Sequence, residues 1–118
     1  MKGIEIIGAG YSEDKELVLN SIKKLSPSRK SPSILLYHSP LALEELQTAG
    51  IGLQLAGHTH YRQIFPLSLL VGLAYQHSRG FHSSDGSSIY ISPGTSTWGP
   101  SMRLGSRSEI TLLEINPG

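Results

Sequence analysis

Cysteine is absent from the 118-residue sequence. Disulfides, thiolate nucleophiles and thiolate metal ligands are excluded, and the redox compartment is left open. Charge is scarce: Asp, Glu, Lys and Arg make up 16% of the chain, against about 25% in ordinary globular domains. So thinly charged a surface is expected to be partly covered by another chain. The formal net charge is +1, which gives no electrostatic footing for nucleic acid or an anionic membrane. Long apolar runs are missing too. The longest, "IFPLSLLVGLAY", is too short to span a bilayer and holds Pro66 and Gly72. The amino terminus has no apolar signal-peptide core. These features predict a soluble, by default cytoplasmic, chain with one domain over residues 1–118.

What is present reads as alternating strands and helices. "GIEII" (3–7) is β-branched and bounded by glycines, as a buried strand is. A helix over 13–25 is predicted next. Ser12 is its expected cap, Glu13 and Asp14 lie in its first turn, and Leu17, Val18, Ile22 and Leu25 form one face. "SPSRKSPS" is a surface loop. The second strand is "SILLYH" (33–38). Ser39 and Pro40 then open a helix, 41–49, with Ala42, Leu43, Leu46 and Ala49 as its stripe and Gly50 as its stop. The third strand is "GLQLA" (52–56). Such a β-α-β-α-β run implies parallel strands with right-handed crossovers. Further on, residues 64–75 form one or two strands, 77–88 a polar loop or hairpin, and "SIYIS" and "EITLLEI" are strand-like. The expected architecture is α/β: a mixed β-sheet with antiparallel strands at its edge and helices on one face.

The chemistry gathers in histidine. His38 closes the second strand, and His58 and His60 follow the third across Gly57, a residue expected to let the backbone turn. If those strands are parallel neighbours, all three imidazoles stand beyond the carboxyl ends, where open α/β sheets bind ligands. Converging imidazoles suit a divalent transition metal such as Zn, Mn, Fe or Ni more than Mg or Ca. His77 and His82 fall in the polar loop and are expected to face solvent. Other chemistries find no footing. Asp14 and Asp85 are the only aspartates and lie far in sequence from His38, His58 and His60, so a Ser-His-Asp triad has no natural assembly. "GAGYSE" (8–13) has Glu13 where a dinucleotide loop needs its third glycine.

"LLYHSP" followed by "LAGHTHYRQ" resembles the last two metal-binding motifs of the calcineurin-like metallophosphoesterases. The tail "SPGTSTWGPSMRLGSRSEITLLEI" is similar to the carboxyl-terminal end of a bacterial branch of that superfamily, and the likeness runs from about residue 3 to residue 115. The resemblance implies that His38 and His58 bind the second metal of a two-metal centre and His60 the first. Gln63 matches a frequent glutamine, whereas Tyr61 and Arg62 replace two glycines. The Asp-x-His, Gly-Asp-x-x-Asp and Gly-Asn-His-Asp motifs of the complete enzymes do not occur. The chain therefore resembles the carboxyl-terminal half of such an enzyme: half of a four-layer α/β/β/α sandwich, a partial domain. The implied function is metal-dependent phosphoester hydrolysis, weak or absent without complementation. The alternative is a non-catalytic metal-binding or oligomerisation module derived from such an enzyme. The expected partners are a phosphoester substrate, and either a second copy of the chain or a separate amino-terminal half.

Overall fold

A computed structural model describes residues 3–28, 30–57, 79–95 and 107–116. The expected element at 64–75 lies outside these residues, as do His58, His60, Tyr61, Arg62, Gln63 and His77.

Five strands form one sheet in the order β1-β2-β3-β5-β4. They are β1 (Glu5–Gly8), β2 (Ser33–Leu36), β3 (Leu53–Ala56), β4 (Gly80–Ser84) and β5 (Ser87–Ile91). β1, β2, β3 and β5 run parallel, and β4 closes one edge antiparallel to β5. Helices α1 (Lys15–Leu25) and α2 (Leu43–Ala49) are the first two crossovers. The predicted mixed sheet is thus present, and of the two expectations for the polar stretch, loop or hairpin, the described part forms the hairpin β4–β5. Asp85 and Gly86 make its turn with φ of 46° and 83°, the left-handed pair that a two-residue hairpin requires.

Strand alternation assigns the two faces. Leu35, Gln54, Ala56, Ile89 and Ile91 point to the helices and are buried, packed with Val18 and Ile22 of α1 and Leu46 and Ala49 of α2. Ile6, Leu36 and Phe81 point the other way, 69%, 45% and 60% exposed. In register with them stand Ile34, Leu53, Leu55 and Tyr90, all half-buried. Both faces are therefore apolar, as expected, but the described helices cover only one. No described helix is long and apolar enough to cross a membrane.

Several boundaries shift for local reasons. Asp14, not Ser12, caps α1: its carboxylate accepts from the Leu17 N–H at 3.1 Å, while the Ser12 hydroxyl accepts from the Asp14 N–H. Both are capping residue types, and the later one takes the helix end. Leu17 and Leu25, placed on the buried stripe from sequence, are exposed, and Val18 and Ile22 alone are fully covered. An 11-residue helix rises about 16 Å against about 13 Å for a four-residue strand, so its ends overhang the sheet. α2 starts at Leu43 rather than at Pro40. Its amino-terminal Ala42 has only a methyl group, and the Glu45 carboxylate reaches back to accept from the Ala42 N–H at 2.7 Å. Gly50 ends α2 at φ 76°, as expected.

"EITLLEI" is the largest departure. Its alternation reads as a strand, yet no ladder forms there among the described residues and Ile110 and Leu112 are about nine-tenths exposed. The segment is held at one end. The Glu109 N–H donates to the Gly94 carbonyl, and the Glu109 carboxylate accepts from the Tyr90 hydroxyl, from Thr111 at 2.9 Å and from Arg79 at 2.8 Å. These donors, Tyr90 foremost, hold the Glu109 carboxyl below its ordinary range. Burial, then the bond to Glu109, pushes the Tyr90 phenol up. The signs fix a window. A depressed carboxyl contributes stability above its unfolded value and loses it as pH falls through the folded one; a raised phenol contributes below its unfolded value and loses it as pH rises through the folded one. Exchange of the Glu109 amide, relative to its intrinsic rate, is expected to be slowest between the ordinary glutamate and tyrosine ranges and to accelerate beyond both ends. In Glu109→Gln the acid limb of that profile is expected to vanish; an unchanged profile would contradict the tether.

Candidate metal centre

β2 and β3 are adjacent, with Leu36 opposite Leu55, so both chains leave the sheet at the same edge. His38 comes two residues after β2, and Gly57 directly follows β3. The Gly57 N–H donates to the His38 carbonyl at 3.0 Å. The His38 ring lies over Gly57: a Cβ there would stand 3.5 Å from Nδ1 and 3.6 Å from Cε1. Gly57 has no positive φ, and the turn expected after it lies outside the described residues. The glycine leaves room for an imidazole, with space for a methyl in ordinary contact and for little more.

The His38 ring is exposed at the carboxyl edge of the sheet. Of the three expected ligands it alone is among the described residues, where no group of three His, Cys, Asp or Glu side chains that could hold a metal occurs. Tyr11, from the loop between β1 and α1, meets the His38 ring edge-on, centroids 6.2 Å apart at 71°. That loop is fastened to the one bearing His38. The Tyr37 hydroxyl donates to the Ser12 carbonyl at 3.1 Å, and Lys15 Nζ to the Pro40 carbonyl at 3.3 Å. An imidazole on a rim built from two anchored loops fits one ligand of a transition metal. His82 is elsewhere: it belongs to β4, half-buried, and its Nε2–H donates to the Arg79 carbonyl at 2.8 Å. The expectation of a solvent-facing loop is corrected there, because the hairpin places His82 opposite Ile89 on the inward face.

One residue of the site escaped the sequence reading. Gln54, in the middle of β3, is fully buried. Its Nε2 donates to the Tyr37 carbonyl at 3.2 Å and the Ser39 carbonyl at 2.8 Å, and its Oε1 accepts from the Leu41 N–H at 3.1 Å. These bonds explain why α2 does not start at Pro40: residues 37–41 are drawn onto β3 as a loop. A polar residue sharing the inward parity of Ala56 in "GLQLA" was the available signal.

A hollow of about 230 Å³ lies at the amino ends of β2, β3 and β5, lined by Ser33, Gly52 and Ser87 together with Gln47 of α2. Its hydroxyls serve the fold. Ser33 Oγ donates to the Gly50 carbonyl and accepts from the Gly52 N–H, and Ser87 Oγ donates to the Ile51 carbonyl.

No protein-family profile matches the chain, and no solved structure matches it. Curated proteins do. A transmembrane protein with metallophosphoesterase domain from Bos taurus is 46% identical over 107 residues, 88% of this chain and 23% of that protein. An uncharacterized metallophosphoesterase of Helicobacter pylori is 41% identical over 99 residues, 82% of this chain and 26% of the relative. One from Campylobacter jejuni is 36% identical over 93 residues, 78% of this chain and 25% of the relative. The chain spans about a quarter of the length of these curated relatives. It is homologous to metallophosphoesterase-domain proteins, and the kinship extends beyond the expected bacterial branch to an animal protein. Among its described residues this relative of the metallophosphoesterases has no complete metal-binding cluster.

Proposed function

We propose that the chain supplies part of the metal centre of a phosphoester hydrolase, with His38, His58 and His60 as ligands. The observation that carries this reading is the His38 ring lying over Gly57, at the root of the Gly-His-Thr-His segment. The homology to metallophosphoesterase-domain proteins supports the reaction class. A divalent transition metal held there would supply Lewis acidity toward a phosphoryl group. The chain's own part is to present neutral imidazoles from two neighbouring strand ends and to brace the rim with Tyr11. Three neutral ligands leave no anionic bridge for a second cation, so one metal per chain is the natural load. The uncovered sheet face belongs, in the same proposal, to the middle of a four-layer sandwich, closed by a second copy of the chain or by a separate amino-terminal half. Of the two we favour the second copy.

A second reading, a non-catalytic metal-binding or oligomerisation module, is favoured by the lack of a carboxylate cluster among the described residues. Hydrolysis of bis-nitrophenyl phosphate separates the two. Turnover is expected to rise several-fold with added Mn²⁺ or Zn²⁺ and to disappear in His38→Ala. Saturable metal binding without metal-dependent turnover would leave the module reading; no metal binding would reject the hydrolase and the metal-binding module and leave only oligomerisation.

A further inference from the structure

His38 carries its ring at the rim, but its backbone is held from β3. The Gly57 N–H takes the His38 carbonyl. The two hydrogens of the Gln54 amide take the carbonyls of Tyr37 and Ser39, the residues on either side. One buried side chain therefore fixes the peptide plane before His38 and the one after Ser39, and the Gly57 N–H fixes the plane between them. Oε1 completes the amide by accepting from Leu41, so the group makes three bonds while fully buried. A satisfied buried amide contributes little net stability over an apolar residue that fills the same space, but it fixes geometry. The neighbouring inward positions Leu35 and Ile89 are apolar, so an apolar side chain would suit the core equally well.

We propose that Gln54 is the positioning residue for His38: β3 sets the place of His38 through the Gln54 amide. The metal consequence rests on the reading of His38 as a ligand; the positioning itself does not.

The test uses the full chain with ¹³Cε1-labelled histidine. In the metal-free wild type, the Gln54 side-chain amide protons are expected to exchange slowly and the His38 signal to be single and sharp. Gln54→Met keeps length and loses every bond; Gln54→Glu keeps the acceptor for Leu41 and loses both donors. Both are expected to shift or broaden His38 while His82 stays in place, and to weaken Zn²⁺ binding by at least tenfold. Ile22→Ala, which opens the core beneath α1, is expected to lower stability without moving the His38 signal or the Zn²⁺ affinity. A Gln54→Met chain with the wild-type His38 signal and Zn²⁺ affinity would overturn the proposal. So would freely exchanging Gln54 amide protons in the wild type, a result that needs no variant to fold. If the wild type binds no Zn²⁺, the ligand reading fails, and the His38 signal still decides the role of Gln54.

Discussion

At micromolar concentration the chain is expected to sediment as a dimer, and Leu36→Glu as a monomer with the same circular dichroism. The effect comes from the face left uncovered by the described helices, where Ile6, Leu36 and Phe81 are exposed beside half-buried Ile34, Leu53 and Leu55. Five strands of about four residues present roughly 300 Å² of sheet, from the spacing of about 4.8 Å between strands and about 3.3 Å along them. Pairing two such faces removes roughly 600 Å² from water, a gross gain of about 15 kcal/mol. Association costs about 4–15 kcal/mol of lost freedom, so the net is modest and the interface is easily broken. A buried carboxylate costs several kcal/mol, enough to exceed that margin from Leu36, on the strand next to the edge. Leu36 is nearly half exposed in the single chain, so the change leaves the fold alone. A wild-type monomer at about 100 µM would reject the twofold pairing and leave a separate amino-terminal half as the covering partner.

Replacing both His58 and His60 by alanine is expected to abolish Zn²⁺ binding, and His38→Ala to weaken it by at least tenfold. An open site of three imidazoles has no thiolate or carboxylate in reserve, since the chain has no cysteine and no acidic cluster among its described residues. Removing two ligands leaves one exposed imidazole, which is no better than any surface histidine. Binding should also fade in mildly acidic buffer, because a protonated imidazole cannot ligate. Calorimetry checks both variants; wild-type affinity in the double variant would place the metal elsewhere.

The elements with local signals were legible in the sequence. Gly50 announces its helix end and the strand–helix alternation its parallel order, while the stretch around Asp85-Gly86 read equally as loop or hairpin. What failed depended on distant partners. Ser39-Pro40 looks like a helix start, but Gln54, 13 to 17 residues away along the chain, holds that stretch as a loop. "EITLLEI" alternates like a strand, yet a strand exists only where a neighbouring edge accepts its ladder, and Glu109 is instead tethered through side chains to Tyr90 and Arg79. For the site, the motif residues could be read and one of them could be placed. The amide behind it was hidden, because its purpose appears only when β2 and β3 lie side by side.

The central claim, that His38 and the Gly-His-Thr-His segment converge on one cation, is tested most directly by ¹⁵N-imidazole NMR of the chain during a Zn²⁺ titration. All five histidines then report at once. The account predicts that the nitrogens of His38, His58 and His60 move together and saturate at one equivalent, while His77 and His82 stay in place. Saturable binding that shifts His77 or His82 and leaves His38 unmoved would contradict it.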